Sequence, residues 1–164
     1  MEKSNIIGLL PSDLIPFLEA KGEPSYRSKQ ITQWLYQKKV TTWDEMKNLP
    51  LHLRQELSQS YEIGQTEIET KMVSSDHSNK YLLRLIDGNG IEIVVIPHRK
   101  RLTICLSTQV GCPVGCAFCA TGQGGFSRNL TYQEIVESAW KAQIEMKSDI
   151  KNIVFMGMGE PLLN

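Results

Sequence analysis

Helical spacing governs the first third of the chain. Leu14, Phe17 and Leu18 share a face, and Gly22 stops that helix. Ser25 or Ser28 opens a second helix with Ile31, Trp34 and Leu35 on one side. Thr42-Trp43-Asp44-Glu45 has the form of a capping box. Pro50 suits the first turn of a last helix bearing Leu53 and Leu57. Trp34 and Trp43 are expected in the core of this helical part.

Beyond residue 66 the period shortens to two. Ile68, Thr70 and Met72 alternate with Glu67, Glu69 and Lys71, and after a turn Tyr81, Leu83 and Leu85 alternate again. Asp87-Gly88-Asn89-Gly90 is a hairpin signal, followed by an apolar run that Pro97 ends. Residues 98–101 lead to a further strand carrying Cys105. A second capping box, Thr131 to Glu134, opens a helix whose expected buried stripe is Ile135, Val136, Ala139, Trp140 and Ile144. Residues 153–156 have the composition of a buried strand. The pattern predicts an α+β chain in three parts: helices over 1–62, an antiparallel sheet over 63–97, and one βαβ unit over 98–164.

Charge adds little in bulk, because Lys+Arg and Asp+Glu are both 18. Locally, His98 to Leu130 holds Arg99, Lys100, Arg101 and Arg128 and no acid. That run is either a solvated turn or a basic rim suited to RNA phosphate. No apolar run is long enough to span a bilayer and no targeting segment is visible, and clustered thiols without disulfide spacing suit a reducing cytoplasm, the expected location.

All four cysteines fall between 105 and 119, and Cys112, Cys116 and Cys119 form a C-x₃-C-x₂-C array. The spacings are too tight for separate disulfide staples. Zinc commonly takes four ligands from two separated pairs, and no second pair follows here. Short cysteine spacings suit an iron–sulfur cluster, with three thiolates leaving one iron open. The spacing favours the cluster and leaves zinc or structural thiols as alternatives. Cys105 is not needed for a three-cysteine site; it is a thiol with another role or a small residue buried on a strand. Glu92 stands in an otherwise apolar strand, where burial would be costly; an outward-facing acid is the alternative.

The stretch from Cys105 through Gly122 resembles the radical S-adenosylmethionine (SAM) rRNA (adenine-C2)-methyltransferases. So do Gly125-Phe126-Ser127-Arg128-Asn129-Leu130-Thr131 and Met156-Gly157-Met158-Gly159-Glu160-Pro161-Leu162-Leu163-Asn164. The resemblance implies that 98–164 is the start of a radical-SAM (β/α) barrel and that 1–62 is an RNA-contacting accessory domain, with Arg27, Lys29, Lys38, Lys39, Lys47 and Arg54 toward RNA. It implies a [4Fe–4S] cluster on Cys112, Cys116 and Cys119, and SAM held at Gly159 and Glu160. Gly159 would leave room for the SAM backbone, and Glu160 would accept from its ammonium. Carbon 2 of an adenine in 23S rRNA, and in tRNA, would be methylated through a methyl-cysteine and radical mechanism. Glu92 would be the proton acceptor. Cys105 would release the adduct by forming a disulfide with a second catalytic cysteine near the family's C-terminus, absent here. An electron donor such as flavodoxin and a monomeric state are also implied. Pro161 to Asn164 and Gly125-Phe126 favour carbon 2 over the relative that methylates carbon 8. A non-catalytic RNA-binding module with a metal loop is the alternative of another class.

A closed barrel takes about 200 residues or more. One βαβ unit leaves an open sheet edge and an uncovered apolar face. The chain is therefore expected to be a fragment that does not complete methylation alone.

Overall fold

The computed structural model describes residues 3–99 and 101–164. The expectation at Lys100 lies outside the described residues. The chain divides into two compact units at Gln65 and Thr66.

The first unit holds β1 (Ser4–Asn5), α1 (Pro11–Ala20), α2 (Arg27–Thr32), α3 (Leu51–Ser60) and β2 (Tyr61–Glu62), with β1 parallel to β2. α1 buries Leu14 and Leu18, and Gly22 beyond it has φ +70°. α2 runs on as a π-helix over Gln33–Lys38, so that Ile31 and Leu35 are both buried. The Thr42 box closes, its N–H donating to Glu45 Oε1 at 3.1 Å, yet it opens only a 3₁₀ turn over Trp43–Glu45. The two tryptophans correct the sequence expectation. Both are half-buried, and the core is aliphatic, with Ile6, Ile7, Leu53 and Leu57 beside the residues above. Trp34 keeps a polar partner by donating its indole N–H to the Asn48 side chain.

The second unit holds β3 (Glu67–Val73), β4 (Asn79–Arg84), β5 (Gly90–His98), β6 (Arg101–Cys105), β7 (Gln109–Gly111), α4 (Ala120–Gln123), β8 (Phe126–Asn129), α5 (Tyr132–Met146) and β9 (Ile150–Val154). One five-stranded sheet runs β3-β4-β5-β6-β9. Its first four strands form an antiparallel meander, and β9 joins β6 in parallel after the α5 crossover. The sheet is therefore continuous across residues 97 and 98. Tyr81, Leu83, Ile91, Ile93, Val95 and Ile104 line one face, which packs with Ala139, Ala142 and Met146 of α5. Each fully buried aliphatic side chain there contributes about 1.5–3 kcal/mol.

Three expectations change. The alternation in β3 breaks at a bulge between Ile68 and Thr70. Lys71 then pairs with Tyr81 on the α5 side and donates to Glu145 at 2.8 Å, while Met72 is left exposed. On α5, Val136 lies outside the buried stripe, whereas Glu137 and Ser138 lie inside it. They are tolerated there because Glu137 accepts from the Thr66 N–H at 2.6 Å and Ser138 donates to the Glu134 carbonyl at 2.7 Å. Finally, β9 is an edge strand rather than a buried one. Ile153, Phe155 and Met156 are exposed, as no described strand pairs beyond it. Among the described residues, no helix is long and apolar enough to cross a membrane.

Candidate functional site

Because β6 and β9 are parallel neighbours, the segments that follow them emerge at one end of the sheet. The segment after β6 enters a two-stranded ribbon, β7 antiparallel to β8, that brackets the cysteine loop. Gly111, at φ +79°, closes the base of that loop. A Cβ there would lie 2.0 Å from the Gly125 carbonyl oxygen, and the Cys112 N–H donates to that oxygen at 2.9 Å. Inside the loop the Cys119 N–H donates to the Cys116 carbonyl at 3.1 Å. Gln123 Nε2 donates to the Ala117 carbonyl at 2.7 Å.

The segment after β9 folds back onto the same region. Ser107 Oγ accepts from the Met158 N–H at 2.9 Å and donates to the Glu92 carbonyl at 2.6 Å. Gln109 Oε1 accepts from the Glu160 N–H at 2.9 Å. Gly159 has φ +103°, and a Cβ on it would lie 2.7 Å from Gln109 Cβ. Packing on Gln109 thus already demands glycine there, a reason the sequence does not display. Glu160 is half-buried and accepts from the Leu162 N–H at 3.1 Å. A cleft of about 520 Å³ lies beside the loop, lined by Val110, Gly111, Thr121, Gly125, Phe126 and Met158 among others.

Two family-model matches fall on the chain. One is to the ribosomal RNA large subunit methyltransferase N-terminal domain over residues 4–63, the other to the radical SAM superfamily over 106–164. A dual-specificity RNA methyltransferase RlmN of Halorhodospira halophila is 49% identical over 97% of this chain and 45% of its own length. A probable dual-specificity RNA methyltransferase RlmN of Synechocystis is 50% identical with the same coverage. The chain belongs to the RlmN family. It spans about half the length of these relatives. A crystal structure of a radical SAM methyltransferase from Sphaerobacter thermophilus superposes with a TM-score of 0.86 at 38% identity, over 98% of this chain and 48% of that one.

As a radical SAM family, the RlmN proteins use a [4Fe–4S] cluster and SAM. The loop's donor set fits such a cluster. All four cysteines are free thiols and half-buried. The backbone N–H of Gly122, and after it the N–H and side chain of Thr121, hold the Cys119 thiol below its ordinary pKa and outweigh the opposing cost of desolvation. That favours the thiolate an iron binds. Among the described residues no three His, Cys, Asp or Glu side chains close around a single-ion position. Cluster thiolates each bind a different iron, so a wider arrangement suits them.

Cys105 and Glu92 share a face of the sheet. Cys105 pairs with Val94, two residues from Glu92, on the side opposite Ile93 and Ile104. Glu92 is not buried; it is exposed and pairs with Lys80 at 3.0 Å. Arg128 corrects the picture of a basic rim. Its guanidinium is occupied by Asp87 at 2.7 Å and Glu134 at 2.8 Å. Arg99 and Arg101 remain exposed. In the first unit Arg27 pairs with Glu23 and Arg54 with Asp44, whereas Lys29, Lys38 and Lys47 are exposed. No sequence motif gives Ser107 or Gln109 a role. Their signal is a polar run, Ser107-Thr108-Gln109, immediately after a strand, and all three are buried.

Proposed function

We propose that this chain is the RNA-binding and cofactor-binding part of a radical-SAM methyltransferase that modifies carbon 2 of adenine in 23S rRNA and tRNA. One observation carries it: the C-x₃-C-x₂-C loop and the Gly-Met-Gly-Glu-Pro turn meet at the same end of two parallel strands. In this reading 1–62 is the accessory domain, 63–97 the antiparallel sheet, and 98–164 the first βαβ unit of a barrel. The protein works as a cytoplasmic monomer with an electron donor such as flavodoxin.

Cys112, Cys116 and Cys119 hold the cluster, while Gly159 and Glu160 hold SAM. When bound, these cofactors supply radical chemistry that reaches an aromatic ring carbon closed to polar methyl transfer. The chain's own residues do the rest. The Glu160 carboxylate accepts hydrogen bonds from the SAM ammonium. Glu92, presented on the open face, receives the proton lost from the ring carbon at its carboxylate. Cys105, on the same face, would release the product by forming a disulfide with the family's C-terminal cysteine as the bond from that sulfur to the product's carbon breaks. The exposed Lys29, Lys38, Lys47, Arg99 and Arg101 meet RNA phosphate.

Anaerobic reconstitution tests this. The chain is expected to take up one [4Fe–4S] cluster whose spectrum responds to SAM. Cys112→Ala, Cys116→Ala and Cys119→Ala should each lose iron and sulfide, and Cys105→Ala should keep both. Stoichiometric zinc instead of iron, or loss of the cluster in Cys105→Ala, would overturn the assignment.

A further inference from the structure

We infer that Gln109 is a positioning residue that couples the cysteine-loop ribbon to the Gly-Met-Gly-Glu-Pro turn and so sets where Glu160 stands. The inference rests on the proposed cofactor site and goes beyond it to a residue without thiol or charge. Gln109 is fully buried, at 0% exposure. A buried side-chain amide must satisfy both its ends or incur a desolvation cost. Here the two ends reach two different segments. Oε1 accepts from the Glu160 N–H at 2.9 Å, and Nε2 donates to Asn129 Oδ1 on β8 at 2.8 Å.

The link does not stop there. Asn129 Nδ2 donates to the Leu163 carbonyl at 3.3 Å. Asn164 Nδ2 donates to the Thr108 carbonyl at 2.6 Å and the Leu130 carbonyl at 3.0 Å. The 3₁₀ turn over Pro161–Leu163 and Asn164 after it are thereby stapled to Asn129 of β8 and to Thr108 and Leu130, which flank the ribbon. The stem of Gln109 also packs where a Cβ on Gly159 would otherwise lie. β7 leads directly into Cys112, so moving Gln109 shifts Glu160 relative to the cysteines.

The test compares the wild-type chain, Gln109→Met and Asn129→Ala. Gln109→Met keeps side-chain length and removes both hydrogen bonds. Asn129 is exposed, so its replacement spares the core. Amide hydrogen exchange on the cluster-free chain should speed up about tenfold at Glu160 in Gln109→Met. It should speed up less in Asn129→Ala. After reconstitution, iron and sulfide content should match wild type, while the SAM concentration that half-shifts the cluster spectrum should rise about tenfold. If wild type responds to SAM and Gln109→Met responds at the same concentration, the cofactor assignment stands and this inference is overturned. Unchanged exchange at Glu160 overturns it as well. If wild type shows no SAM response, the cofactor assignment fails and the inference falls with it.

Discussion

Gly157 shows how closely the two segments approach. Its N–H donates to the Leu106 carbonyl at 3.1 Å. A Cβ would meet Ser107 Oγ at 2.7 Å and the Leu106 carbonyl carbon and oxygen at 2.8 Å. Backbone cannot swing aside as a long side chain does, so Gly157→Ala should cost about 1–3 kcal/mol. Gly124→Ala is the control, since its nearest contact would be 3.5 Å. Urea unfolding should show a lowered midpoint for the first variant and little change for the second. Equal midpoints would contradict the close approach. Cysteines and the Gly-Glu-Pro turn were legible in the sequence because their residue types carry chemistry at short spacing. Ser107 and Gln109 were not, because each bonds a partner 51 residues away, and no local pattern records that.

Among the elements, β8 is paired with β7 and is also tied to two other segments by one guanidinium. Arg128 bridges Asp87, in the turn between β4 and β5, and Glu134, in the first turn of α5. Asp87 sits well down, at about 2 against an ordinary 3.8, chiefly through the Asn89 N–H and side-chain amide and then through Arg128. Burial alone would raise the Glu134 carboxyl, but Arg128 and the Thr131 N–H hold it below its usual value. A carboxyl depressed on folding adds stability that is whole above its unfolded pKa and is lost as pH falls through the folded one. The second unit should therefore weaken between pH ~4 and pH ~2, and Asp87→Asn should flatten that decline. Circular dichroism during acid titration reads it, and an unaltered slope in the variant would refute the role. Element types were largely legible from periodicity. The β3 bulge was not, because one extra residue at Glu69 reverses the faces without altering the written alternation. The composition of β9 alone reads as buried, whereas the count of a single βαβ unit implied the open edge and exposed apolar face that the described residues show.

At the scale of the molecule, the α+β division was visible as a change of period near residue 66, where the two compact units also divide. Neutral overall charge hid what the structure resolves: several cations, Arg27, Arg54 and Arg128 among them, are matched by carboxylates. β6 is the seam of the sheet, antiparallel to β5 on one side and parallel to β9 on the other. The seam also orders events in time. The meander closes through neighbours in sequence, whereas β9 can dock only after the chain has run from Cys105 to Ile150, at a greater entropic cost of closure. The sheet is thus expected to nucleate on its antiparallel side and acquire β9 late. Stopped-flow refolding should find Ile93→Val slowing folding, and Ala142→Gly mainly hastening unfolding. The opposite partition would mean that the parallel edge forms first.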